Sequence, residues 1–479
     1  MLCLRRALTR SPRYANHFRA SFALLAALAV WTWGNCGRLH PPTGHFVHRW
    51  DMYHYYLSAK YFPELGYYDL YRATLLADAQ LPKPLLKRLR WVREQREYQL
   101  VRTRGIRRDA DLQGRFSAER WDEFRDDVAY FEGSIPFVEW RHILRDHGYN
   151  APPSRTALTG PIASALGPAS DLSITALSLI DPAILAALFL AIHRAFGLGT
   201  AALVAIAFGT NRLATFDWIG GSFARFDWFV LCGLGVIALR RKRHFLAGAL
   251  LGGAAMLRLF PALFALAVLA RGLFNLREVR CWESRYRRFL LGLFSSGMGL
   301  ALLSLLFGGG AEAWGVFYSK ITHHADGLYA NHVGLRALVE GSAPSLWLAR
   351  AVVAGLFLGA LRRTDDAEAA LLGGVLVFTF TFVAGYYYSF LALFFLSPRG
   401  SQPAQYPTSD PSWDSVGFFA LLFAPSLAVI AIESVPRHAM SDVHFAASAA
   451  LVFTFAALFW WTFDVSATLR SRWTSPPPE

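Results

Sequence analysis

The chain has 479 residues, of which 54% are hydrophobic and only 17% charged, with 48 Lys and Arg against 34 Asp and Glu. Ordinary soluble domains carry about 25% charged residues, so the composition excludes a disordered chain, a collagen-like fibre and an ordinary soluble enzyme, and points to a polytopic membrane protein. The net charge of +14 reads as basic residues gathered in cytoplasmic loops rather than as a nucleic-acid surface, and Cys3, Cys36, Cys232 and Cys281 form neither a disulfide framework nor a zinc spacing.

About 20 apolar residues cross a bilayer. The first such run, 18–35, follows Arg5, Arg6, Arg10, Arg13 and Arg19. No small-x-small cleavage site follows it, so residues 1–37 read as a cytoplasmic N-terminus and an uncleaved signal anchor. Residues 38–171 then interrupt the apolar pattern. Between 45 and 157 lie 16 acidic and 19 basic residues, which cannot sit in hydrocarbon, and the segment is expected to be a large, mainly helical extracytoplasmic loop. Within it, 121–131 puts Trp121, Phe124, Val128 and Phe131 on one helical face and its acids mostly on the other, solvated. The basic stretch 85–108 reads as a soluble helix, with anionic headgroups as the alternative contact. DHGYN (146–150) is a secondary polar cluster.

Spans follow near 172–194, 198–216 and 226–239, the last ending in Arg240-Arg241-Lys242-Arg243-His244, a strong inside-facing signal. The run 245–270 is broken by Arg258-Leu259-Phe260-Pro261 and is expected to form two short helices meeting near Arg258. Spans 289–308 and 345–361 flank an outer loop, 309–344. The run 367–397 breaks at Gly385-Tyr386-Tyr387-Tyr388. Residues 172–397 thus read as one transmembrane module. A Ser- and Pro-rich linker, 398–414, and spans near 415–433 and 443–465 complete the last unit, 398–479. The expected architecture is all-α, with ten to twelve membrane helices, both termini cytoplasmic and no internal repeat.

Outward segments carry most of the polar groups without an evident structural reason. Asp51, in RWDMYHYYLSAKYF (49–62) with Tyr53 and His54, suits a general base at a membrane interface; the alternative is an aromatic belt with one solvated Asp. Arg225 and Asp227 lie two apart in GGSFARFDW (220–228), as a phosphate contact or as a local ion pair at a helix start. Arg258 lies deep in an apolar run, where a charge needs an anionic partner; a lipid phosphate would serve, and so would pairing with Asp217, Asp227 or another acid. Lys320, His323, His324, Asn331, His332 and Arg336 share one outer loop, as an anion site or simply as solvated groups. The tyrosines of 385–390 are sugar contacts or interface anchors. No P-loop, dinucleotide fingerprint or Gly-x-Ser-x-Gly occurs, which speaks against ATP-driven transport and serine hydrolysis. One Asp without a second nearby carboxylate makes a poor metal site. No metal ligand and no cofactor are therefore assigned, a divalent metal being left open.

A first span leading to an Asp in a large first outer loop resembles the GT-C glycosyltransferases. RRKRHFLAGALLGGAAMLRLFPALFAL (240–266) is similar to glycosyltransferase family 87, the mannosyltransferase-like branch, with Arg258 and Pro261 where that branch usually has Lys before Pro. Asn331 to Leu335 resembles its Asn-x-x-Leu loop, and 385–390 its Tyr-rich break. The resemblance implies inverting transfer of a mannose or another sugar from a polyprenyl-phosphate donor, at the outer face of a bacterial inner membrane. It implies Asp51 as base, with His323 and His324 also in catalytic roles. Arg225, Arg258, Lys320 and Arg336 would bind the donor phosphate. Tyr53, His54, Asp227, Asn331 and Tyr387 would bind sugar or acceptor, the acceptor being a glycolipid, glycan or protein, and nucleic acid no partner. A transporter or flippase of a lipid-linked or anionic substrate, or a scaffold built on the 38–171 loop, are the competing readings.

Overall fold

The computed structural model describes residues 12–41, 43–106, 110–327, 329–339, 343–397 and 420–463. The linker 398–414 and the C-terminal Arg470 and Arg472 lie outside them. The fold is mostly helical. Among the described residues four helices are long and apolar enough to cross a membrane, over Asp171–Gly209, Ser284–Phe307, Ala343–Leu361 and Met440–Phe459, and shorter apolar helices include Ala20–Trp33, His244–Leu257 and Ala424–Glu433. Ser284–Phe307 leaves Leu291, Phe294, Met298 and Leu306 exposed, the inverse of a helix that faces water.

The apolar run after the large loop breaks where glycine allows it. Gly197 sits at φ 83°, ψ 174°, within Ile180–Gly209, a conformation that residues with a Cβ avoid. The 245–270 run likewise divides into His244–Leu257 and Ala262–Val279, with Arg258 in extended conformation between them. These two helices do turn back on each other. His244 Nε2 lies 3.0 Å from Asp366 Oδ2, Tyr286 donates to Asp366 Oδ1 at 2.8 Å, and Arg285 Nη1 lies 3.3 Å from Asp366 Oδ2. The start of one helix and the residues after the other therefore meet at one end of the bundle, beside the Arg240–His244 turn. Asp227–Arg240 has 14 residues, as does His244–Leu257, or about 21 Å each at 1.5 Å per residue. Asp227 and Arg258 are thus carried to the other end together.

The large loop has its own hydrophobic core, built on Tyr53, Tyr56, Leu57, Tyr71, Phe124, Phe131 and Trp140. Ala118–Ser134 starts at a Ser117 cap and buries Trp121, Phe124, Val128 and Phe131, as the spacing predicts. Its acids are not all solvated. Asp127 is fully buried against Lys60 Nζ at 2.8 Å, and Glu123 also pairs with Lys60. The basic stretch 85–108 is not one helix. It forms a short 3-10 turn at Leu86–Arg88, strands β1 (Trp91–Arg93) and β2 (Leu100–Arg102) in an antiparallel hairpin, and a turn of helix at Thr103–Ile106. Val92 is buried while Trp91 is exposed, so the strand's alternation seats one residue in the core. A second small antiparallel pair joins β3 (His332–Val333) to β4 (Val383–Ala384), across the helices between them. Within the expected outer loop, Gly310–Asp326 form a helix. The break at 385 is present, but Gly385–Leu396 continues as a 3-10 helix.

Candidate functional site

Asp51 lies near the start of a helical stretch, Arg49–Lys60, in which Tyr53–Leu57 form one π turn. Single π turns add a residue to a helix and change which side chains share a face. Tyr53 and Tyr56 point into the loop core, where Tyr53 bonds Thr74 Oγ1 at 2.8 Å. Tyr55 points elsewhere and donates to Asn150 Oδ1 at 2.8 Å. Three guanidiniums surround its ring: Arg225 with its Cζ 4.1 Å from the centroid, Arg155 at 4.8 Å and Arg258 at 5.7 Å. A tyrosine face attracts cations, and here it lets three of them share one small volume.

Each arginine is buried, at 3%, 0% and 5% exposure respectively, and Asp51 is at 8%. Their pairings differ. Arg155 donates to Phe223 O and Ala224 O and contacts Asp227 Oδ2 at 3.3 Å. Arg225 Nε lies 3.6 Å from Asp51 Oδ2, and its Nη2 donates to the Tyr386 hydroxyl at 3.2 Å. The expected local pair of Arg225 with Asp227 is absent, since each turns to a distant partner. Arg258 has no carboxylate within 4 Å among the described residues, and Asp217 instead accepts from Asn35. Asp51 Oδ2, Arg155 Nη1, Arg225 Nε and Nη1, and Arg258 Nε and Nη2 make no hydrogen bond with the protein. Buried polar atoms left open in this way are rare and call for a partner.

The loop that holds Arg225 is pinned from two sides. Asp181 accepts from the Arg225 and Phe226 amides at 2.8 and 3.0 Å. Gly221, at φ 68°, lets the chain pass so close to Phe46 O that a Cβ would overlap it, and its carbonyl accepts from His48 N–H at 2.9 Å. His48 Nδ1 in turn accepts the Asp51 amide at 3.2 Å. Tyr387 packs between Phe260 and Trp228, with ring centroids 4.9 and 5.8 Å away, beside Arg258.

A second group adjoins the first. Asp146 accepts from Trp50, the neighbour of Asp51, at 3.2 Å. Next to it, His147 stands 5.2 Å from His324 and 4.6 Å from Tyr329, and His324 stacks on Tyr329 at 4.5 Å with His332 at 5.7 Å. His332 belongs to β3, whose partner strand β4 leads directly into Tyr386. Burial pushes His147 and His324 down to about 4 and His332 to about 3. Lys320 is buried, donates to Tyr67 O at 2.9 Å, and is pushed down to about 7 by the same loss of water. No cluster of three or more His, Cys, Asp or Glu suited to a metal ion occurs among the described residues.

The remaining expected residues fall outside these groups or at their edge. Tyr53 is withdrawn into the loop core, which corrects its sugar-binding assignment. His54 is buried with its Nε2 2.7 Å from the Tyr71 hydroxyl. His323 is exposed, 5.1 Å from Tyr98. Asn331 supports His332 Nδ1 at 2.9 Å and accepts from Gly385 N–H. Arg336 corrects to a helix cap: it bonds Ala325 O and Asp326 O at the end of Gly310–Asp326, where basic groups satisfy free carbonyls. Asp227 is committed to Arg155 and to the Trp228 amide.

No protein-family model, curated protein or solved structure matches the chain.

Arg155, Tyr55 and His147 join these groups without a sequence motif that singles them out. For Arg155 a signal exists. It is the only Lys or Arg between 147 and 170, and no acid occurs in that stretch, so any carboxylate it meets must come from elsewhere in the chain.

Proposed function

We propose that the chain is an integral membrane glycosyltransferase that takes a sugar from a polyprenyl-phosphate donor, with Asp51 as general base. The observation that carries this reading is Arg258, buried without a carboxylate beside two further arginines and within one tyrosine ring of the Asp51–Arg225 pair. A phosphodiester has one negative charge and two free oxygens, which suits a planar guanidinium fork. A free carboxylate oxygen next to that anion position suits proton removal from an acceptor hydroxyl.

In this reading the acceptor oxygen bonds to the anomeric carbon as its proton passes to Asp51. The bond from that carbon to the phosphate oxygen breaks on the opposite face, and the electron pair leaves with the phosphate. Inversion follows. Arg258 and Arg225 balance the charge that grows on the leaving oxygen. His324, His147 and Tyr329 present rings to the acceptor, and Tyr386 and Tyr387 hold the donor side. In this reading His324 serves the acceptor side, and His323 stands outside the ring group.

The test is turnover of polyprenyl-phosphate mannose by the purified chain in lipid nanodiscs, beside Asp51→Asn and Arg258→Ala. Asp51→Asn is expected to lower turnover by about 10²–10⁴-fold while donor binding persists, and Arg258→Ala to lose donor binding. Wild-type turnover by a folded Asp51→Asn protein would remove the base. Failure to bind any lipid-linked sugar would move the reading to a transporter of another anion.

A further inference from the structure

The hairpin of the large loop carries a basic surface that the transfer reaction does not use. Between β1, the 3-10 turn before it and the helix Phe137–Ile143 lies a cavity of about 300 Å³. Its walls include Arg88, Arg90, Arg141, Arg145, Trp91 and Phe137, and no acidic residue lines it. The four arginine side chains make no hydrogen bond or ion pair with the described residues, and Arg145 Nε is buried without a partner. Elsewhere in this loop Arg72 and Arg115 pair with Asp69, Arg120 with Glu64 and Glu123, and Arg125 with Asp122. At the cavity four arginines gather with no acid among its walls.

The fold holds the cavity rigidly. Arg93 N–H donates to Leu144 O at 2.8 Å, and Arg93 Nε and Nη1 donate to Arg145 O and Tyr98 O at 2.6 and 2.7 Å. These bonds tie the strand to the end of the helix, so Arg141 and Arg145, one turn apart, face Arg88 and Arg90 across a fixed gap. The Trp91 indole is 39% exposed and is braced by Arg102, whose guanidinium lies 5.4 Å over its ring.

We propose that this cavity binds an anionic saccharide, with the arginines holding carboxylate or phosphate groups and Trp91 packing on a sugar ring. The volume is at the lower end of the ligand-site range of roughly 300–1,000 Å³, which suits one or two sugar rings. Arginine forks match both anions bidentately. A lipid headgroup is the less suitable occupant. The cations come from two separate segments, 88–90 and 141–145, and line a concavity, whereas surface binding to lipid uses an amphipathic helix with an apolar face laid in the interface. The inference does not rest on the transfer reaction, and loss of that reaction would leave it standing.

The experiment is calorimetric binding to the full chain in phosphatidylcholine nanodiscs, using trigalacturonate, mannose 6-phosphate, inorganic phosphate and neutral maltotriose. One or both anionic sugars are expected to bind, the tighter one naming the carboxylate or the phosphate, and affinity should fall with salt. Maltotriose should not bind. Arg141→Gln/Arg145→Gln should weaken binding at least tenfold and Trp91→Ala at least threefold, with the thermal midpoint unchanged. Arg141→Lys/Arg145→Lys, which keeps the charge and loses the fork, should fall between. Absence of binding by both anionic sugars, or unchanged binding in the Gln pair, overturns the proposal. Inorganic phosphate binding as tightly as mannose 6-phosphate overturns its saccharide part. Arginine-dependent binding only to phosphatidylglycerol vesicles would make the surface a headgroup contact instead.

Discussion

Two buried charge clusters lie within a few residues of each other, and they are built on opposite principles. Around Lys60 everything is matched. Its ammonium meets Asp127 and Glu123 at 2.8 Å, Gly167 O at 2.7 Å and the Tyr56 hydroxyl at 2.9 Å, while Asp127 also accepts from Tyr61 and from the Ala169 amide. Around Tyr55 the arginines outnumber their carboxylate partners, and six side-chain polar atoms remain open. Burial alone therefore does not mark a site. A buried charge with all its bonds made is accounted for by the fold, and one with bonds left over is a candidate for a ligand.

The largest expected contrast is in stability. Lys60→Met leaves Asp127 buried and unpaired, and breaking such a pair costs about 3–5 kcal/mol; thermal unfolding in detergent should show it. Lys60→Met/Asp127→Leu should recover most of that loss, because the orphaned charge goes too. Arg258→Met should behave in reverse. Donor binding is expected to weaken at least tenfold, while the thermal midpoint stays or rises, since an unmatched cation is removed. A midpoint that falls as far as for Lys60→Met would make Arg258 a structural residue.

A smaller effect comes from the group of rings that adjoins the Tyr55 cluster, and it is read by pH. His147 and His324 are neutral in the folded chain down to about pH 4, whereas free histidine protonates near 6.5. Between those values the unfolded chain binds more protons, so stability falls as pH drops from about 6.5 to about 4. His324→Gln should make that part of a stability profile shallower, His147 keeping its own share. Lys320 gives a second window. Its folded value of about 7 lies below the free value of 10.5, so stability should rise with pH between them, and Lys320→Met should abolish the rise.

The same contrast explains what the sequence disclosed. Arg258 was legible because an arginine in an apolar run has no local reason to be there, and Pro261 beside it marked the helix break. Asp51 was legible from its place after the first span. Arg155 was not, since its partners, Asp227 and two carbonyls, are about 70 residues away and only tertiary folding brings them near. Asp127 misled for the same reason: helical periodicity places it on the polar face, and Lys60, from another helix, covers it. The 85–108 stretch misled because its charges are dense enough to fit any period, while the alternation that makes β1 spans three residues. His147 fell in a cluster of secondary rank, since its partners His324 and Tyr329 lie far along the chain, beyond most of the apolar helices.

The π turn at 53–57 has a consequence for how the two clusters coexist. A helix keeps phase, and each residue added or removed turns everything beyond it by about 100°. Asp51 is committed to one direction by Arg225, and Lys60, nine positions later, to another by Asp127. The widened turn works as a phase shifter between them, letting one continuous rod obey two separate alignments. Removing a single residue there would restore an ordinary helix and set the two ends against each other, so that either the carboxylate or the ammonium loses its bearing.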